Sequence, residues 1–298
     1  MLMKKFLFFV CISLLSFSAF AQLTNLPNKF NEAKLVGHWE FKSEAELFKA
    51  TVGEDLISLM DETLIYHQEV DGVSTARLDL GGAVTSGMTV AHGIAANGGS
   101  DTKVNNFAMM FDIKIDANKG GSGNENLSAL YWNNAKDDGS TFVSFSDNTN
   151  AGRVNGVGLS TYGTDLLLPG DWNRIILNVN LESSKYDIYV VHNDRTIRTN
   201  SAASQGGVEL IAGKDVVFCG DYAKGTEYGR YNVSQIALFN NYLTAKEIEN
   251  LVYGGLPVPS TDDNGPWYKI QVLGEGSGRE NRLFTAETDA NSKERVNG

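Results

Sequence analysis

"YNVSQIALFNNYLTAKEIENLVYGG", residues 231–255, changes its periodicity part-way along. Its first part, "NVSQIALF", reads as a strand. The part after it carries a complete set of helix signals. Thr244 stands at an N-cap with Glu247 three residues later, a capping box, and Leu243 and Ile248 are placed to form a hydrophobic staple across it. Ile248, Leu251 and Val252 then make an apolar i, i+3, i+4 stripe that ends at Gly254-Gly255. A helix this short is not stable alone in water. Its stripe must rest on other structure.

That structure is read from the rest of the chain, where strands predominate. In "NNFAMMFDIKID", Phe107, Met109, Phe111, Ile113 and Ile115 fall on one face, and Asp112, Lys114 and Asp116 on the other. The second set is expected to be a solvated charged face. "WNRIILNVNLE" sets Ile175, Leu177, Val179 and Leu181 against Arg174, Asn178 and Asn180. "YDIYVVHNDRTIRT" reads as a hairpin turning at Asn193-Asp194, residues that tolerate positive φ. "LVGHWEF" is a further strand, and weaker candidates lie at 64–70, 76–80, 127–132, 142–145, 157–162 and 215–219. Glycine-rich links such as "GGAVTSG", "NGGSD" and "NKGGSGNEN" separate the runs. Many short strands and one helix predict an all-β fold, a two-sheet antiparallel jelly-roll sandwich with one short C-terminal helix.

Residues 1–21 read as a secretory signal peptide: Lys4 and Lys5, then "FLFFVCISLL", then Ala19-Phe20-Ala21. The expectation is cleavage near Ala21/Gln22 and export to the periplasm, the cell surface or the medium, with no lipid anchor and no membrane span. The leader takes Cys11 with it and leaves Cys219, which excludes a disulfide framework and a cysteine-based zinc site. Loss of its two lysines moves the net charge from −11 to −13, which argues against nucleic acid and anionic membranes as partners. After Gly255, "LPVPSTDDNGP" has linker composition. The organisation expected is a sandwich over 32–256, a linker at 257–266, and at 267–298 either the start of a second β module that this chain does not complete or a tail docked as a strand. Further domains are expected C-terminal to it.

Four stretches carry a family resemblance. "VSQIALFNNYLTAKEIENL" resembles the closing strand and helix of laminin-G-like domains in the concanavalin A-like lectin/glucanase superfamily. "LVGHWEFKSEAELFKATVGEDL", "VNNFAMMFDIKI" and "PGDWNRIILNVNL" are similar to earlier segments of the same family, in the same order. The resemblance implies a jelly roll with a concave face and a core role for Trp39 and Trp172. It also implies an extracellular glycan or protein as partner, often with a rim calcium, and a place in a larger secreted protein. Ser234 and Gln235 stand where the family often has an acidic pair, which weakens a calcium site there.

Glucanases of that superfamily set an E-x-D-x-E type run along one strand, because retaining hydrolysis needs two carboxyls roughly 5 to 5.5 Å apart. No such run occurs; Asp112 and Asp116 would stand about 13 Å apart. "HQEVDG" aligns His67, Glu69 and Asp71 on one side of a strand, a trio that could hold a metal or do acid-base work. His38 is expected beside Trp39, His192 at a hairpin end and His92 in a loop, and Cys219 is expected to be a core residue. For ligand binding, "YWNNAKDDGS" offers Tyr131, Trp132, Asn133 and Asn134, and "GDYAKGTEYGRY" offers Tyr222, Tyr228 and Tyr231, with Tyr162 a further candidate. Aromatic rings beside amides suit sugars. The carboxylates of the same loops, Asp137, Asp138, Asp221 and Glu227, are the candidates for calcium. Asn126 and Asn232 match glycosylation sequons. The function expected is a secreted, non-catalytic binding module. A glycoside hydrolase on the same fold and a ligand-free spacer are the alternatives.

Overall fold

Three long strands with opposed apolar rows organise the molecule: Asn106–Ile115 (β8), Trp172–Asn180 (β12) and Arg230–Phe239 (β17). The computed structural model describes residues 30–59, 64–79, 87–115, 127–132, 142–146, 153–156, 167–168, 170–193, 196–203, 208–220, 230–253, 269–272 and 282–285. Around the three strands, among the described residues, runs a nine-stranded antiparallel sheet. Beyond β12 lie Lys185–His192 (β13) and Ile197–Ala203 (β14), the expected hairpin. The far edge of β17 is shared by Leu35–Trp39 (β1), followed by Ala50–Val52 (β2), and by Val73–Asp79 (β5), followed by Ile65–Val70 (β4).

A six-stranded antiparallel sheet faces it, in the order β11–β10–β9–β16–β6–β3. These strands are Ile57–Ser58 (β3), Met88–Ala91 (β6), Leu127–Trp132 (β9), Phe142–Ser146 (β10), Arg153–Gly156 (β11) and Asp215–Phe218 (β16). Lys103–Val104 (β7) pairs with Leu210–Ile211 (β15), and Lys269–Val272 (β18) pairs with Arg282–Thr285 (β19). Six of these strands, β2, β3, β6, β7, β11 and β15, are not among those expected from the sequence, and the expected strand at 157–162 lies outside the described residues.

The main core fills the space between the sheets. Phe218 meets Phe111 at 5.9 Å and Trp39 at 5.5 Å between ring centroids, and Phe107 meets Tyr131 at 6.2 Å. Trp39 and Trp172 are both 1% exposed, as expected of core residues. Gly37 is required by the first of them: a Cβ there would stand 2.3 Å from the Trp39 indole. A register shift at Ser234 changes the phase of β17, so that Tyr231 and Val233 and then Ile236 and Leu238 all enter this core.

The helix Ala245–Tyr253 (α1) lies on the other face of the nine-stranded sheet. Ile248, Leu251 and Val252 are buried there against Ala108, Met110, Ile176 and Ala237. The capping box forms as the sequence predicts: Glu247 Oε2 accepts from the Thr244 N–H at 2.7 Å, and Thr244 Oγ1 accepts from the Glu247 N–H at 3.4 Å. Glu247 also binds the start of the domain, through Lys34 Nζ at 2.7 Å and Asn31 Nδ2 at 2.6 Å. Asn178 pairs with the backbone of Leu243 as a strand neighbour would, accepting at 2.7 Å and donating at 2.9 Å.

The helix overturns one expectation. Asp112 is not on a solvated face; it is 0% exposed. Arg174 grips it with two bonds of 2.7 Å, from Nε to Oδ1 and from Nη2 to Oδ2, and donates a third through Nη1 to the Leu251 carbonyl at 2.7 Å. Gln235 Nε2 donates to Asp112 at 2.6 Å, and His38 Nε2 donates to Gln235 Oε1 at 3.2 Å. Alternation identifies the two faces of a strand but not what covers each one, and here a second apolar layer covers the polar face. His38 therefore points away from Trp39, edge-on to Phe30 at 5.0 Å, and burial holds its pKa below the ordinary value despite the Gln235 bond.

Removing one member of a buried ion pair strands the other in an apolar layer. Asp112→Ala is expected to cost about 3–5 kcal/mol in urea unfolding, and Asp112→Leu combined with Arg174→Met to recover most of it. A second expectation concerns acid. Burial opposes ionisation of Glu247, but the bonds from Lys34, Thr244 and Asn31 outweigh it and hold the carboxyl at about 2, below its ordinary 4.5. A depressed carboxyl contributes stability above its unfolded pKa and loses it as pH falls through the folded one. Glu247→Gln should therefore flatten the fall of the urea midpoint between those two values and leave the rest of the pH profile in place.

Candidate ligand-binding face

The strand register of the six-stranded sheet sorts its residues into two faces. Met88, Phe218 and Tyr131 are directly paired neighbours and all are buried in the inter-sheet core. The same row continues to Val143 and Gly156. The adjacent row therefore belongs to the opposite face, and it runs Ile57, Thr89, Val217, Trp132, Phe142. Further along β9, β10 and β11, Ala129, Ser144 and Asn155 form a second row of that opposite face, and Leu127, Ser146 and Arg153 a third. Between these rows, Ser128, Phe145 and Val154 belong to the core side.

This register separates the adjacent aromatics Tyr131 and Trp132. Val143 pairs with Tyr131 but Ser144 with Ala129, so Leu130 is an extra residue in β9. The bulge sends both Leu130 and Tyr131 into the core, each 0% exposed. The Tyr131 hydroxyl donates to the Val208 carbonyl at 2.8 Å, and burial pushes its pKa well up. Tyr131 is thus a core residue and leaves the set of candidate ligand contacts. Tyr231, 0% exposed in β17, leaves it for the same reason.

Trp132 remains, at a register position next to Phe142. Asn133, Asn134, Asp137, Asp138, Tyr162, Asp221, Tyr222, Glu227 and Tyr228 lie outside the described residues. On the opposite face of the sheet, Val217 is fully covered while Ile57, on the edge strand, is 64% exposed. The candidate surface is taken as the part over β9, β10 and β11, the strands that bring Trp132 and Phe142 side by side. Its residues are aromatic, aliphatic, hydroxyl, amide and guanidinium in type. A flat aromatic accepts the C–H face of a sugar ring, and hydroxyls and amides meet its OH groups. The alternation of "FVSFS" in β10 would have identified Phe142, Ser144 and Ser146, but β11 is too short to show a pattern.

The other candidate chemistry is taken up by structure. Asp71 sits in a turn at φ 56° and binds Lys114 Nζ and the Trp172 indole N–H. The His67 N–H goes to Glu44 at 2.9 Å, and Glu69 is exposed. The candidate His67–Glu69–Asp71 trio does not assemble, and among the described residues no three His, Cys, Asp or Glu groups converge as metal ligands would. His92 is buried with both nitrogens used, Nε2 donating to Ile211 O and Nδ1 accepting from Ile94 N–H, each at 3.0 Å. Burial keeps its pKa below the ordinary value. Asn232 of the second sequon is 4% exposed in β17 and accepts from Gln68; Asn126 is outside the described residues.

No family model and no curated protein matches the chain. Among solved structures it is similar to a sialidase of Trypanosoma rangeli in complex with sialic acid, with 14% identity and a TM-score of 0.48 over 78% of this chain and 37% of that one. It is also similar to domain 4 of AbnA, a GH43 extracellular arabinanase of Geobacillus stearothermophilus, in complex with arabinotriose. There the identity is 12% and the TM-score 0.48, over 74% of this chain and 98% of that one. A third is the receptor binding domain of botulinum neurotoxin type G, at 12% identity and a TM-score of 0.47, over 73% of this chain and 50% of that one. The chain spans about a third of the length of the sialidases it matches. Likenesses of this grade assign neither a family nor an activity to it.

Cys219 is buried at φ 59°, hydrogen-bonded to Tyr231, with its thiol pushed up to about 12 by burial. In a Cys11→Ser background it should stay silent to an aromatic disulfide reagent in the native protein and react fully in guanidinium. Rapid native labelling would show that the core opens at that corner.

Proposed function

We propose that this chain is an exported, non-catalytic glycan-binding module of the laminin-G-like kind, and that its ligand lies across β9, β10 and β11. The observation that carries the reading is the paired position of Trp132 and Phe142, with Ser144 and Asn155 in the next row of the same face. Aromatic and hydrogen-bonding residues in adjacent rows match the alternating apolar faces and hydroxyl edges of a saccharide. On β9, β10 and β11 the register positions of this face hold no carboxyl, imidazole or thiol; Asp215, on β16, is a carboxyl elsewhere on the same side of the sheet. The leader, the acidic linker and the strands beyond it fit a module carried in a longer exported protein.

Glycan-array binding by the full chain is the test. Trp132→Ala and Phe142→Ala should each weaken the positive signals by about tenfold or more, as truncation of a central aromatic does. Lys246→Ala, an exposed change on α1 at the far side of the sandwich, should leave them as they are. Signals that survive both aromatic changes would remove this face from the site.

A further inference from the structure

We propose that the sugar recognised on this face is acidic: an oligosaccharide carboxylate meets Arg153 while a neighbouring ring lies at the Trp132–Phe142 end. This rests on the preceding reading of the face as a glycan site, and it specifies the ligand's charge and length. Arg153 pairs with Ser146 and belongs to the same face as the aromatic row. It is the single charged residue on that face of β9, β10 and β11. The surrounding chain is acidic, with 36 Asp and Glu against 25 Lys and Arg, so a cation among neutral and aromatic residues is unusual here. Phe142 and Ser146 are four residues apart on β10, which sets the two rows about 13–14 Å apart. That distance exceeds one sugar ring and calls for an oligosaccharide.

The chemistry favours arginine over any cation. Its planar fork meets a carboxylate with two parallel bonds, and it keeps its charge at every physiological pH. The net negative charge of the chain opposes an acidic ligand only at range. At about 0.15 M salt the Debye length is about 8 Å, so distant carboxylates are largely screened while a direct contact with Arg153 is not. The shallow cleft beside Glu40, Lys42, Glu46 and Lys49 is occupied by its own ion pairs, and the buried Asp112–Arg174 pair is sealed beneath α1.

The full chain is titrated calorimetrically with trigalacturonate, trimannuronate and a glucuronate-bearing cellotriose, each beside its carboxyl-reduced form. At least one acidic ligand should bind about tenfold or more tightly than its reduced counterpart, the scale of hydrogen bonds to a charged group. Arg153→Gln should bring that ratio close to one, and Arg153→Lys, which keeps the charge but not the fork, should lose most of it. The lysine variant alone decides the matter if the glutamine variant melts early. Equal affinities in the parent chain, or a preference that persists in both variants, overturns the assignment of Arg153. If reduced sugars bind and Trp132→Ala abolishes them, the face survives that failure as a neutral-glycan site. If no sugar of either kind binds, both readings fall.

Discussion

The buried contact between Asp112 and Arg174 connects the parts of the molecule that a sandwich leaves separate. It joins β8 to β12 across the sheet, takes a third bond to the last turn of α1, and reaches β17 and β1 through Gln235 and His38. An ion pair so placed is not a large source of stability, because desolvation consumes most of the attraction between the charges. What it enforces is position. With the carboxylate and guanidinium out of water, a seat that moved the helix would cost Arg174 Nη1 its bond to the Leu251 carbonyl. The Leu251 carbonyl, which a helix C-terminus leaves without an intrahelical donor, completes the geometry.

The two faces of the nine-stranded sheet thus do different work. One face meets the second sheet through a large aromatic and aliphatic core. The other carries a smaller apolar layer crossed by directed polar contacts: Asn178 with Leu243, Lys34 with Glu247, and Arg174 with Leu251. The candidate ligand face is on the far side of the second sheet, two layers from the helix. A change that loosens α1 can therefore lower stability without altering the register that sets Trp132 beside Phe142.

What could be read in the sequence was what depends on near neighbours. The capping box, the staple and the stripe of α1 each lie within a few residues, and all three form as the spacing dictates. The long strands are equally plain, because five alternate apolar positions in β8 leave one way to fold. The failures come where a distant segment decides. Asp112 looks solvated until the helix, contributed by residues far along the chain, is laid over it. Tyr131 reads as a loop aromatic because the bulge at Leu130 comes from pairing with β10. The ligand face is the hardest part. Its residues come from three strands whose mutual register no local pattern encodes, and β11 contributes only two of them, Arg153 and Asn155.

The clasp at Glu247 has a mechanical consequence. It holds Asn31 and Lys34, at the start of the domain, against α1, at its end, and Phe30 and Tyr253 share the apolar layer beneath. Residues 30 and 253 therefore lie on one side of the sheet. Leu35, the first residue of β1, pairs with Phe239, the last of β17, so a pull between residues 30 and 253 loads that ladder at one end. Its hydrogen bonds would open one after another, as in unzipping, instead of resisting together. Pulled between residues 30 and 253, the domain would give first at its clasp, at a low force, while the opposite sheet carries no load.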